Sequence, residues 1–199
     1  MHTSDAAVIQ KVLDGDKRAY AELVDRHKGK AMTLALRMLK NREDADEALQ
    51  DAFVRAFHAL PRFEWKASFS TWFYRIVYNV CATHLSRKEK FREVSAEPGG
   101  DGAGADLVSD ELPPDEQYES KEFEQIVLEE IARVTDPYNV VCTLFFVQDL
   151  SYDQIVEVTG LPLGTVKVRL FRGRLLLRNA VVKRLGTANA AGALVKARR

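Results

Sequence analysis

Lys167, Val168, Phe171 and Arg172 stand at i, i+1, i+4 and i+5 in the run GTVKVRLFRGRLLL. On a helix of about 3.6 residues per turn, that spacing gathers two cations and two apolar groups on one side. Such a side suits duplex DNA, with cations for phosphate oxygens or guanine edges and apolar groups for thymine methyls. Val166, Leu170, Gly173 and Leu177 form another stripe, where Gly173 permits close approach of a neighbouring helix. An ordinary amphipathic helix with a solvated basic face has the same pattern, so the preceding residues matter. Ile155 and Val158 share one face of a short helix from about Tyr152 to Val158, which Thr159-Gly160-Leu161-Pro162 then breaks. Gly160 suits a left-handed C-cap, Pro162 cannot continue the helix, and Thr165 is a candidate cap for the restart. Two helices about so short a turn predict a helix-turn-helix unit whose second helix enters the major groove.

A second constellation lies upstream. Phe63, Trp65, Phe69, Trp72, Phe73, Tyr74 and Tyr78 cluster within 16 residues, interleaved and followed by Arg75, Asn79, His84, Arg87 and Lys88. Flat faces for unstacked bases beside charges for the backbone are what single-stranded nucleic acid requires. A small helical domain needs aromatics inside as well, and Trp72, Ile76 and Val80 are read as core. The residues before Ser70 are expected as a loop and Thr71–Lys88 as a helix.

Catalysis finds no support. The chain carries no nucleophile–base set, no Gly-rich phosphate loop and no metal-ligand spacing, so no catalytic residue, metal or cofactor is expected. His2, His27, His58 and His84 are scattered, and Cys81 and Cys142 each sit inside an apolar helical pattern as reduced, buried thiols. Tyr74 and Tyr78 lie near Arg75, but a recombinase would need a second basic cluster. No run of 18 or more apolar residues and no signal peptide occurs, which implies a soluble cytoplasmic protein.

The elements that position these groups are helical throughout. Among 199 residues, 46% are hydrophobic, enough for one or two cores. Apolar residues recur at helical spacing from Asp5 to Leu39, with Asp14-Gly15-Asp16 as a break and Lys40-Asn41 as an end. A capped restart at Asn41 leads into a helix with Ala45, Leu49, Ala52, Phe53, Ala56 and Leu60 inward and Asp46, Glu47, Gln50 and Asp51 outward. Acids in a first turn also complement the helix dipole. After a gap, Phe123, Ile126, Val127, Ile131 and Val134 form a stripe, and Val140, Val141, Leu144, Phe145 and Val147 fill the helix after Asp136-Pro137.

The zero net charge hides three blocks. Residues 1–92 hold 17 Lys/Arg against 12 Asp/Glu, residues 93–130 hold 1 against 13, and residues 131–199 hold 11 against 4. Two basic segments around an acidic one point to a nucleic-acid partner.

Three stretches together carry a family resemblance: ADEALQDAF at 45–53, FSTWFYRIVYN at 69–79 and LSYDQIVEVTGLPLGTVKVRLFRGR at 150–174. In that order the chain resembles the extracytoplasmic-function (ECF) sigma factors, the small promoter-specificity subunits of bacterial RNA polymerase. The resemblance covers nearly all of the chain outside 93–120 and the last dozen residues. It implies an all-α protein of two small helical domains joined by a flexible acidic linker. Residues 1–92 would be sigma-2-like, 93–120 the linker, 121–186 sigma-4-like with a helix-turn-helix, and 187–199 a basic tail.

By the same resemblance, Asp46, Glu47, Gln50 and Asp51 match the surface that docks on the clamp helices of the polymerase largest subunit. Phe63, Phe69, Arg75, Asn79, Arg87 and Lys88, with the loop 62–70, match the part that opens the −10 element and captures a flipped base. Lys167, Val168, Phe171 and Arg172 match the reader of the −35 element. Implied partners are core RNA polymerase through its β and β′ subunits, promoter DNA, and an anti-sigma factor that clamps both domains and can hold the protein at the membrane. Val168 stands where the family commonly has Ser, and Ala48 where it usually has a larger aliphatic residue. An autonomous helix-turn-helix regulator is the alternative, but it does not explain the acidic helix beside the aromatic-basic segment.

The stretch EVSAEPGGDGAGADLVSDELPPDEQYESK is rich in Gly, Pro, Ser and acids and cannot pack a core. As a flexible chain the 28 residues from 93 to 120 would span roughly 30 Å, more when charge repulsion extends it. In the family this connector runs toward the polymerase active centre, where an acidic strand would resemble nascent RNA, although a solvated tether is the simpler reading. Limited proteolysis should therefore cut first within 93–120 and release two folded helical fragments. Equal resistance along the chain would argue for a packed linker.

Overall fold

The computed structural model describes residues 4–94 and 118–185, so most of the acidic segment 93–120 and the tail 187–199 lie outside the described residues. Every described element is helical. The chain divides into two compact units, one drawing its described residues from 4–94 and 153–160, the other from 118–152 and 161–185.

In the first unit, α1 (Asp5–Leu13) begins at Ser4, whose hydroxyl accepts the Ala7 N–H at 3.3 Å. Gly15, at φ +108°, turns the chain, and Asp16 caps a 3₁₀ turn at Lys17–Ala19 by accepting the Arg18 and Ala19 N–H groups. Helix α2 (Tyr20–Leu39) ends at Lys40, which takes a left-handed φ of 57°. Asn41 then caps α3 (Arg42–Ala59) by accepting the Asp44 N–H at 2.9 Å. A 3₁₀ turn at Leu60–Arg62 holds Pro61, and a short loop leads to α4 (Phe69–Val94).

Helices α2, α3 and α4 pack mutually as a three-helix bundle. Ala45, Ala48, Ala52 and Ala56 of α3 are all fully buried, spaced so that one stripe of small side chains runs along the helix. Methyl groups there let the neighbouring backbones come close, and Leu23, Leu34, Phe73 and Val77 fill the remaining space. Burying each large side chain contributes roughly 1.5–3 kcal/mol. The Phe53 and Phe73 rings stack with centroids 4.5 Å apart, and the Tyr20 hydroxyl donates to the Phe53 carbonyl at 2.8 Å. Asp5 ties α1 to α2, accepting from Arg26 at 2.9 Å and lying 2.8 Å from His27 Nε2.

Helix α4 departs from the sequence expectation in phase and in length. It starts at Phe69 rather than Thr71, because Ser68 is the cap: its hydroxyl accepts the Thr71 N–H and its carbonyl the Trp72 N–H, each at 3.1 Å. It runs to Val94 rather than Lys88. The core row is Phe73, Tyr74, Val77, Val80 and Cys81, while Trp72 and Ile76 are only half-buried. Two adjacent apolar rows have the same period, and the stacking of Phe73 on Phe53 accompanies the row that faces inward.

In the second unit, α5 (Tyr118–Arg133) precedes α6 (Asn139–Cys142), which continues through one π-helical turn at Thr143–Val147. Ile131, Val134, Cys142 and Leu177 form a buried cluster that Val127, Tyr138, Phe146 and Val147 border. Helix α8 (Leu163–Leu185) follows α7 (Tyr152–Thr159) in the chain and buries Val166, Leu170, Leu177 and Val181 along one stripe. Its first bond runs from the Val166 N–H to the Pro162 carbonyl at 3.1 Å, so Thr165 lies inside the first turn and Pro162 occupies the cap expected of Thr165. The Arg174 guanidinium lies 4.6 Å from the Phe145 ring centroid. Near the far end, Arg184 pairs with Glu129 at 2.6 Å and with buried Glu130 at 3.1 Å, fastening α8 to α5.

Gly173 sits where α8 closely approaches Tyr138 and Cys142. A methyl group there would stand 2.3 Å from the Cys142 Sγ and 3.6 Å from the Tyr138 Cβ. Gly173→Ala should therefore cost about 1–3 kcal/mol through overpacking, although alanine favours helices. Chemical denaturation checks it, and adding Cys142→Ala should return part of the loss. A neutral Gly173→Ala would mean that the helices separate freely.

Candidate nucleic-acid and polymerase interfaces

Helices α7 and α8 are joined by three residues, Gly160, Leu161 and Pro162. Gly160 ends α7 at φ +70°, its N–H donating to the Val156 carbonyl at 2.8 Å. On α8, Lys167 and Arg172 are exposed, Val168 is 51% exposed and Phe171 is 72% exposed. All four predicted reading residues thus share a side that the core leaves free. Arg172 borders an open cleft with Pro137, Tyr138, Gly164, Thr165 and Arg169, which adds a second guanidinium to that side.

The aromatic segment is arranged differently from expectation. Phe63 and Phe69, expected against DNA, are only 8% and 4% exposed. The loop between the Leu60–Arg62 turn and α4 is short, and burying both rings under it is the favourable way to close it. Phe69 stacks on Phe73 at 5.9 Å, and Phe63 rests 5.0 Å from Trp72. The exposed ring of the loop is Trp65, 4.8 Å from Phe63. Arg75 and Asn79 are exposed one turn apart on α4, and Arg87 is exposed further along. Lys88 leaves this group. It continues the inward row of Val77, Cys81 and His84, and its Nζ donates to Asp44 at 2.7 Å, at the start of α3.

On α3, the acids expected to dock are partly engaged already. Asp46 accepts from Arg42 at 3.1 Å, and Asp51 pairs with Arg55 at 2.8 Å. Both are i,i+4 pairs at the surface, worth about 0.3–0.5 kcal/mol each and readily exchanged for a partner's cation. Glu47 and Gln50 are exposed, and Val54 continues their row, 55% exposed. Ala48 points the other way, into the bundle.

Among the described residues, no group of three or more His, Cys, Asp or Glu side chains is gathered to hold a metal. Burial pushes the Cys81 thiol up to about 12 and the Cys142 thiol up to about 11, so neither is a ready nucleophile.

Known proteins with these features were found by comparison. The family model described as sigma-70 region 2 matches residues 23–91, and that described as sigma-70 region 4 matches 124–177. The ECF RNA polymerase sigma factor SigW of Bacillus subtilis is 35% identical over 173 residues, 85% of this chain and 92% of that protein. The chain belongs to the ECF family of RNA polymerase sigma factors. The RNA polymerase sigma-H factor of Pseudomonas aeruginosa is 32% identical, over 85% of this chain and 90% of its own. In fold, the sigma factor is similar to CnrH, solved with the cytosolic domain of CnrY, at a TM-score of 0.57 and 22% identity, over 92% of this chain and 99% of that one. RpoE of Bartonella quintana, solved with the anti-sigma factor NepR, has a TM-score of 0.54 and 19% identity, over 81% and 96%.

Region 2 of the sigma factor therefore holds the acidic row of α3 and the Arg75–Asn79 face of α4, and region 4 holds the free side of α8. Sequence reasoning passed over Val54, and it placed Trp65 in the aromatic cluster without singling it out. Val54 was findable as the next member of the Glu47–Gln50–Asp51 row, and Trp65 as a large aromatic among small and charged loop residues. Among the described residues no helix is long and apolar enough to cross a membrane.

Proposed function

We propose that this sigma factor divides promoter recognition over three surfaces. The outer row of α3, with Asp46, Glu47, Gln50 and Asp51, docks on the clamp helices of the β′ subunit and takes Val54 as its apolar centre. Arg75, Asn79 and Arg87 of α4, with the loop 62–70, hold the opened −10 strand. Lys167, Val168, Phe171 and Arg172 read the −35 element. Residues 1–92 and 121–186 act as the two domains, the acidic 93–120 as their tether, and the basic 187–199 as a phosphate-seeking tail. The work is recognition and opening rather than catalysis, and it takes place in the cytoplasm, where polymerase and DNA are. Both solved relatives were captured with a bound protein, one of them a named anti-sigma factor, and an anti-sigma partner belongs to the same reading.

One observation carries this proposal. The outer row of α3, the Arg75–Asn79 face of α4 and the Lys167–Arg172 side of α8 each lie opposite a buried row of the same helix, so their exposed charged, polar and apolar groups serve no packing role.

Run-off transcription with purified core polymerase and a random promoter library tests it. Promoter-dependent transcripts should appear only with the sigma factor present. No transcript, together with a shift of duplex DNA by the chain alone, would mark an autonomous regulator. Asp51→Arg should weaken polymerase affinity about tenfold or more while leaving the thermal midpoint nearly unchanged; undiminished affinity would leave that face merely solvated. Arg172→Ala should cost about 1–3 kcal/mol at one −35 position if it pairs with a base edge. A phosphate contact would instead weaken all sequences alike and flatten the salt dependence. Unaltered binding throughout would place Arg172 off the DNA.

A further inference from the structure

Trp65 has two features that work against the fold. Its backbone is left-handed, at φ 60°, a conformation that bulky side chains rarely adopt. Its indole is 50% exposed, which leaves a large apolar surface in water. A glycine would relieve both at once. Strain held at one exposed residue is a mark of function when the surroundings enforce it.

The surroundings are built to hold this ring. Phe63 lies 4.8 Å from it, tilted by 50°, and is itself buried. Trp72 at 5.0 Å and Phe69 at 6.2 Å, edge-on, also pack against Phe63. Lys66, paired with Glu64 at 2.5 Å, and Arg62 stand within three residues of Trp65 in the chain, both exposed. On α4, Trp72 shares its face with Arg75 and Asn79, so the aromatic rings lead into cationic and amide groups. A flat apolar surface on a fixed support, bordered by cations, matches a nucleobase and its phosphate. Bases within a duplex have no free face, so the base must be unpaired.

We infer that Trp65 is the residue on which the sigma factor stacks one unpaired base of the promoter strand. The inference rests on the proposed role of the loop 62–70 and replaces Phe63 and Phe69 as its contacting rings. Those two are positioning residues. They keep the indole fixed, so the base meets a surface that has already lost its freedom.

The test uses full-length Trp65→Gly and Trp65→Phe with core polymerase, on promoters that the wild-type holoenzyme selects from a random library. Permanganate reactivity of unpaired thymines measures opening. Trp65→Gly should keep or raise the thermal midpoint, keep polymerase affinity and binding to a duplex −35 fragment, and reduce opening by about 5- to 150-fold. Trp65→Phe should restore most of that loss. Opening by Trp65→Gly at the wild-type level would overturn the inference while leaving the proposed function intact. A midpoint and an opening that fall together would show a structural ring, and a loss of polymerase affinity would show a protein contact; either sinks it. A wild-type chain that opens no promoter with polymerase would sink the proposed function together with the inference.

Discussion

A row of four buried alanines runs along α3 where it packs in the bundle, and both proposed faces of the first unit depend on that packing. Ala45, Ala48, Ala52 and Ala56 are fully buried between α2 and α4. Close-packed interiors transmit small changes in volume, so a larger residue in this stripe would push α4 outward or rotate it. The outer row of α3 and the Arg75–Asn79 face of α4 are the reverse sides of the same packed pair. Their relative placement follows from this packing, which the Lys88–Asp44 pair across the same two helices supplements. Ala48 belongs to this stripe and lies away from the outer acidic row of α3.

The second unit is set by one close approach and one ionic fastening. Gly173 brings α8 against Cys142, and Arg184 joins its far end to Glu129 and Glu130 of α5. Glu130 is buried and accepts from both Arg133 and Arg184, so its charge is compensated where desolvation would otherwise be costly. Held near its middle and its end, α8 presents its first turns, with Lys167, Val168, Phe171 and Arg172, from a rigid base. A reading helix gains specificity from such rigidity, because misplaced donors lose their base edges.

Exposed charge in this sigma factor is mostly provisional. Asp46 with Arg42 and Asp51 with Arg55 are surface pairs within one helix turn, weak and screened by salt. They neutralise the acids in the free protein without committing them. Lys88 with Asp44 differs in linking α4 to the start of α3, between residues 44 apart in sequence.

What the sequence determined by itself was local. The caps at Asn41 and Gly160, the inward and outward rows of α3, and the buried stripe and free side of α8 follow from residue type and a period of about 3.6 residues. Those features need no knowledge of what lies opposite. The phase of α4 did need it. Trp72–Ile76 and Phe73–Val77 are apolar rows with the same spacing, and the one whose Phe73 stacks on Phe53 of α3 is the one that turned inward. The same packing buried Phe63 and Phe69, drew Lys88 to Asp44, and left Trp65 outside on a left-handed backbone. A periodic pattern states which residues share a side, but the shape and chemistry of the neighbouring helix decide which side is buried.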